Sequence, residues 1–166
     1  MFHAFDNTGP NRPTPRPEWM ALLSRAPLQV LEQGLAEQAG AAPQWLRKPE
    51  TGLYMVQGRA GGTGERFNLG EITVTRCALR VGGEGSAVGV AYVMGRNHRQ
   101  AQLAAIADAL LQDPARHDAV DGAVLRPVRQ HLALQQAQQA ARAQSTRVDF
   151  FTVAREAGTP DEGEDA

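Results

Sequence analysis

Apolar residues recur at helical spacing early in the chain, at strand spacing in its middle, and at helical spacing again later. Trp19, Leu22, Leu23 and Ala26 follow Pro17, whose fixed φ suits a first helical turn, and predict one helix. Leu28, Leu31 and Leu35 predict a second from Pro27 to Ala39, stopped by Gly40. Ala41 to Pro49, carrying Trp45, reads as a connector. The period then becomes two. Leu53–Gly58, Ile72–Val81 and Val88–Met94 read as strands, the middle one rich in β-branched residues. Gly82, Gly83 and Gly85 separate the last two, a gap too short for a parallel crossover, so antiparallel pairing is expected.

Helix returns after Gly95. Asn97 is placed to cap it, and Leu103, Ile106, Ala107 and Leu110 form its stripe. Asp113-Pro114 ends it. Val120–Gln144 is mostly helical, with Pro127 as a break or a first-turn residue. Beyond Leu134 this helix is rich in Ala and Gln with no large apolar residue, so it is either solvated or docked on another chain. Val148–Ala154 is extended and could add a fourth strand. The fold class is therefore α+β: N-terminal helices, an antiparallel sheet of about four strands, C-terminal helices and a returning strand. Residues 1–16, with Pro10, Pro13 and Pro15, are expected as a disordered tail. Residues 17–155 are expected as one domain, and 156–166 as an acidic tail.

Charge and cysteine content narrow the function. Lys and Arg total 17 against 18 Asp and Glu, and a chain so balanced has no basic excess for nucleic acid. No apolar run is long enough to span a bilayer, and the first residues lack the apolar core of a signal peptide. The single cysteine, Cys77, cannot form an internal disulfide. A cytoplasmic protein is expected.

Three constellations could carry chemistry. Arg59, Gly61, Gly62, Thr63, Gly64 and Arg66 lie in one short run ending at Phe67. Its backbone N–H groups and guanidinium forks could cradle an anion. No Gly-Lys-Ser/Thr follows, so it is no Walker loop, and the plainer reading is a flexible link between two strands. Arg76 and Arg80 share a strand side with Ile72, Val74 and Ala78. An arginine there needs an internal ion pair, for instance with Glu50 or Glu71, or else a phosphate or a partner chain. Phe150 and Phe151 point to opposite sides of an extended segment, so one can fill the core while the other needs a second cover, from this chain or from a partner. His3, His98, His117 and His131 show no metal-ligand spacing, and no metal site is expected. Cys77 reads as a buried structural thiol. No nucleophile elbow or acid/base pair is evident, so catalytic residues are unassigned.

These segments resemble the PhnG family. The resemblance rests on Glu50-Thr51-Gly52-Leu53, the Arg59–Phe67 loop, Thr75-Arg76-Cys77-Ala78-Leu79-Arg80, Gly95-Arg96, Asp108-Ala109-Leu110 and Thr146-Arg147-Val148-Asp149-Phe150-Phe151-Thr152. It runs colinearly from about Glu18 to Arg155. It implies a subunit of the carbon–phosphorus lyase core complex, assembled with PhnH-, PhnI- and PhnJ-like subunits. That complex replaces the adenine of MgATP with a phosphonate, giving a ribose 1-phosphonate 5-triphosphate. ATP and phosphonate are thus substrates of the complex, and no resident cofactor is implied for this chain. The iron–sulfur cluster of the later radical step cannot belong to a chain with one cysteine. The family pattern after Gly-Arg carries an aspartate, a histidine and a glutamate, where this chain has Asn97, Gln100 and Gln102. These amides are expected to cap a helix or contact a partner.

Overall fold

The computed structural model describes residues 14–37 and 42–146. Two long strands dominate: β1, Gln44–Arg59, and β2, Arg66–Arg80. They pair antiparallel through a tight turn at Ala60–Gly62. Strand β3, Val88–Met94, pairs antiparallel with the second half of β2, giving the order β1-β2-β3. The antiparallel sheet and the Gly82–Gly85 turn agree with the sequence reading, and Gly82, Gly83 and Gly85 all have positive φ.

The predicted connector at Ala41–Pro49 is corrected: from Gln44 onward it is strand. Proline cannot donate to a ladder, and Pro49 therefore argues against a strand in the sequence. Among the described residues β1 is an edge strand, and Pro49 falls within the register shift between Arg47 and Glu50, where no donor is required. The second strand likewise starts earlier than Ile72, because Arg66–Glu71 is polar enough to hide its pairing.

One face of the sheet carries the helices. Thr75, Cys77 and Leu79 of β2 and Ala91 and Val93 of β3 are buried on it, and of the residues between them and beside them on the other face only Val74 is buried as well. Helix α3, His98–Leu111, lies over them and contributes Leu103, Ile106, Ala107 and Leu110, the stripe the spacing predicts. Its start is capped by Asn97, whose side chain accepts from Gln100 N at 3.0 Å. Helices α1, Arg16–Leu23, and α2, Leu28–Gly34, complete the core with Trp19, Leu23 and Leu31. The second helix is shorter than predicted and ends at Gly34, where a Cβ would stand 2.5 Å from the Ala123 carbonyl oxygen.

Asp113 caps α4, Pro114–Val120, and a π turn at Asp121–Leu125 leads into α5, Arg126–Ser145. The wider turn fits Pro127, which has no N–H for the usual helical bond. By contacts the chain divides into two units, 1–133 and 134–166. In the second, the described part is the end of α5, and every residue of 134–146 is exposed. The returning strand expected at Val148–Ala154, with Phe150 and Phe151, lies outside the described residues, among which the sheet has three strands.

Candidate functional site

The strongest polar anchor in the body is Asp108, on α3 and fully buried. Its carboxylate accepts from Trp19 Nε1 at 2.8 Å, Val90 N at 2.9 Å, and Arg16 Nε and Nη2 at 3.2 and 2.8 Å. One side chain therefore ties α1 and β3 to α3. Arg16 belongs to this network and opens α1, which corrects its expected place in the N-terminal tail. Thr14 is buried beside it in the chain and accepts from Arg129 Nη2 at 2.7 Å. The carboxylate has donors on every side, so it is a structural clamp.

Three of the segments that resemble the family, those holding Glu50-Thr51, Thr75-Arg76 and Gly95, meet at the middle of the sheet. Glu50 stands opposite Arg76, and Thr51 opposite Thr75. On the face without helices, Arg76 Nε donates to Glu50 Oε1 at 2.7 Å and Arg76 Nη1 to the Tyr54 hydroxyl at 3.0 Å. The Arg47 and Arg76 guanidiniums hold the Glu50 carboxyl below its usual range, Arg47 contributing most. Glu50 in turn holds Arg76 more firmly protonated. Arg76 thus has the internal ion pair that the sequence left as one of its options. Tyr54 and Tyr92 pack edge to face beside it at 6.0 Å between ring centres. Arg80 lies further along the same face, with its Nε buried and without a hydrogen-bond partner among the described residues.

On the helical face, Thr75 Oγ1 donates to the Gly95 carbonyl at 2.7 Å. A hydroxyl has one proton, so Thr51 Oγ1, 3.1 Å away, donates to Thr75. His98 Nε2, 3.0 Å from Thr51, must then donate to Thr51. The relay fixes the ring, on an exposed side chain, with Nε2 carrying a proton. Sequence spacing did not reveal this contact, because its members come from β1, β2 and the start of α3. Asn97 acts as the cap expected of it, accepting from Gln100 N, whereas the Gln100 side chain donates to the Ala26 carbonyl at 2.8 Å.

The Arg59–Phe67 loop lies elsewhere. Gly61 and Gly62 take φ of 58° and 79°, so glycine is required there for backbone conformation, and nothing lies within 4 Å of either Cβ position. Gly64 N bonds back to Ala60 O, and Arg59 Nη1 reaches Gly64 O at 3.4 Å. This is an exposed hairpin tip. Ten residues of strand separate Arg66 from Arg76, about 30 Å at strand rise. The tip and the Arg76–Arg80 row are therefore well separated along the ribbon.

Cys77 is buried with Sγ 3.1 Å from the Ala101 carbonyl oxygen, and burial pushes its thiol up from 9.0 to about 12. Thiol reagents at pH 8 should label the unfolded chain and spare the native one; fast native labelling would contradict the packing. An acid whose pKa is raised by folding stays protonated in the native state while the unfolded thiol ionises. Its contribution to stability should therefore fall as pH rises from about 9 towards 12. His117 packs edge on against Trp19 at 5.5 Å and bonds the Leu111 carbonyl, a structural placement.

A family model described as "Phosphonate metabolism protein PhnG" matches residues 14–156. The chain belongs to the PhnG family. A protein of Rhizobium meliloti (strain 1021) is 42% identical over 144 residues, covering 84% of this chain and 88% of that one. It bears the name alpha-D-ribose 1-methylphosphonate 5-triphosphate synthase subunit PhnG. The span of the family match includes every cluster described above. Among the described residues, no helix is long and apolar enough to cross a membrane, and no three His, Cys, Asp or Glu side chains gather as metal ligands.

Proposed function

We propose that this chain is an obligate subunit of a cytoplasmic assembly that transfers a phosphonate onto the ribose of ATP and releases adenine. The similarity to a named synthase subunit over most of both chains is the observation that carries this reading. In it, the chain works with PhnH-, PhnI- and PhnJ-like subunits, takes no resident cofactor, and meets MgATP and phosphonate only within the assembly. It is inactive alone and supports the subunit that breaks the ribose–adenine bond.

The surface supports the same reading. Leu53, Met55, Phe67 and Leu69 are 64%, 50%, 48% and 62% exposed on the β1–β2 ribbon. Tyr92 and Met94 are exposed on the open face of the sheet. So much apolar surface in one unit suits a covering partner. The buried, unpaired Arg80 Nε on that face suits a partner's carboxylate or carbonyl. Co-expression with the PhnH-, PhnI- and PhnJ-like proteins of the same organism should recover this chain in a stable complex through salt washing and gel filtration. Elution of the chain by itself, with the other three assembled, would overturn the proposal.

A further inference from the structure

Among the described residues β1 is an edge strand along its whole length, and its two halves are treated differently. The half at the base is blunted as edge strands usually are, by Lys48, Pro49 and two shifts of register. From Glu50 to Val56 the register with β2 is unbroken, and the next shift falls between Val56 and Gln57. Thr51-Gly52-Leu53-Tyr54-Met55-Val56-Gln57 holds no charge and no proline, and all but Val56 are exposed. An uncharged, regular, apolar edge of this kind is a template for strand addition.

The direction of its free groups follows from the ladder. Val90 N bonds Asp108 and Val88 O bonds Arg16, so the even residues of β3 turn away from β2. Ala91 and Val93 therefore bond to their partners Cys77 and Thr75, and the even residues of β2 turn to β1. Gly52 and Tyr54, opposite Val74 and Ile72, complete those bonds. The N–H and C=O groups of Thr51, Leu53 and Met55 consequently point off the free edge. None of them takes part in a hydrogen bond among the described residues. Beyond Val74 the ribbon has no third strand among the described residues, since β3 ends its pairing there. Two strands alone are marginal in water.

We propose that Thr51–Gln57 is the seat of strand addition by another subunit of the assembly; this rests on the subunit reading above. The added segment is extended and apolar over about seven residues, since both faces it would extend carry Leu53 and Met55 or Tyr54 and Val56. It bears a carboxylate at the end beside the hairpin tip. There Arg59 and Arg66 stand opposite each other, both exposed and neither in a salt bridge among the described residues. Like charges so placed repel and call for an anion between them. The same charges disfavour a second copy of this chain. Antiparallel pairing of two copies about Tyr54 would set Arg59 of each against the Lys48-Pro49 pair of the other.

Met55→Pro in the full-length chain tests this, because it removes an outward N–H and leaves the β1–β2 ladder intact. Leu53→Lys is the second variant, a charge on the free edge that keeps every backbone group. Both should retain the circular dichroism of the wild-type chain and lower recovery of the co-expressed complex about tenfold or more, as strand addition draws its affinity from main-chain bonds. Met55→Ala, which keeps the N–H, should fall well short of that loss. If Met55→Pro fails to fold, recovery with Leu53→Lys decides between the outcomes. Wild-type recovery with the folded variants would overturn strand addition and leave the subunit reading standing. Failure of the wild-type chain to join the complex would overturn that reading itself. A homodimer of the isolated chain that Met55→Pro dissolves would assign the edge to a second copy and overturn the proposal.

Discussion

Asp108→Ala should destabilise the isolated chain by about 3–5 kcal/mol. The substitution orphans Trp19 Nε1 and Val90 N, each bonded to this carboxylate within 3 Å in a site closed to water. A buried donor left without a partner costs roughly 1–3 kcal/mol. Arg16 loses its anion as well, and since its side chain is 42% exposed it can turn to solvent at smaller cost. The melting temperature should fall by about 10 °C for a chain of this length. Asp108→Asn, which keeps one acceptor and nearly the same volume, should lose clearly less. Equal losses for Ala and Asn would mean that the charge, rather than the acceptor geometry, holds α1 and β3 to α3. A melting temperature unchanged in both would remove the clamp altogether.

Gly89→Ala should be the most damaging single methyl group. Gly89 is on β3 directly under α3, where an added Cβ would stand 1.9 Å from the Ala105 carbonyl oxygen and 2.9 Å from Ala109 N. Both obstacles are backbone atoms, so no side-chain rotation relieves them, and strand and helix must separate. Overpacking a core costs about 1–3 kcal/mol where side chains can adjust, and this change should exceed that range. Gly52→Ala is the control, since nothing lies within 4 Å of its Cβ position. Urea titration should show the Gly89 variant unfolding far earlier, or not folding, and the Gly52 variant close to wild type. Comparable midpoints for the two would mean that β3 does not pack against α3 so closely.

Periodicity revealed the parts of the fold whose apolar faces repeat. The stripe of α3, its Asn97 cap and the β2–β3 hairpin are all legible in that way, because each depends on neighbours in sequence. Proline obscured the start of β1, since an edge strand tolerates what a central one rejects. Asp108 could have been noticed as the lone acid among Leu103, Ile106, Ala107, Leu110 and Leu111, a position that demands buried donors. Its closest donors come from 18 to 92 residues away, and spacing cannot name them. The Thr51–Thr75–His98 relay was hidden for the same reason. The separation of the glycine loop from Arg76 and Arg80 was not legible either, because the polar run Arg66–Glu71 hid the start of β2. The apolar neighbours of Arg76 on its strand side pointed to an anion, and Glu50 supplies it.

Adenine release from ATP and methylphosphonate tests the subunit role most directly. The purified chain alone should release none. The PhnH-, PhnI- and PhnJ-like subunits without it should be nearly inactive, and adding this chain to them should restore phosphonate-dependent release. Full release by the three partners without the chain, or release by the chain alone, would contradict an obligate supporting subunit.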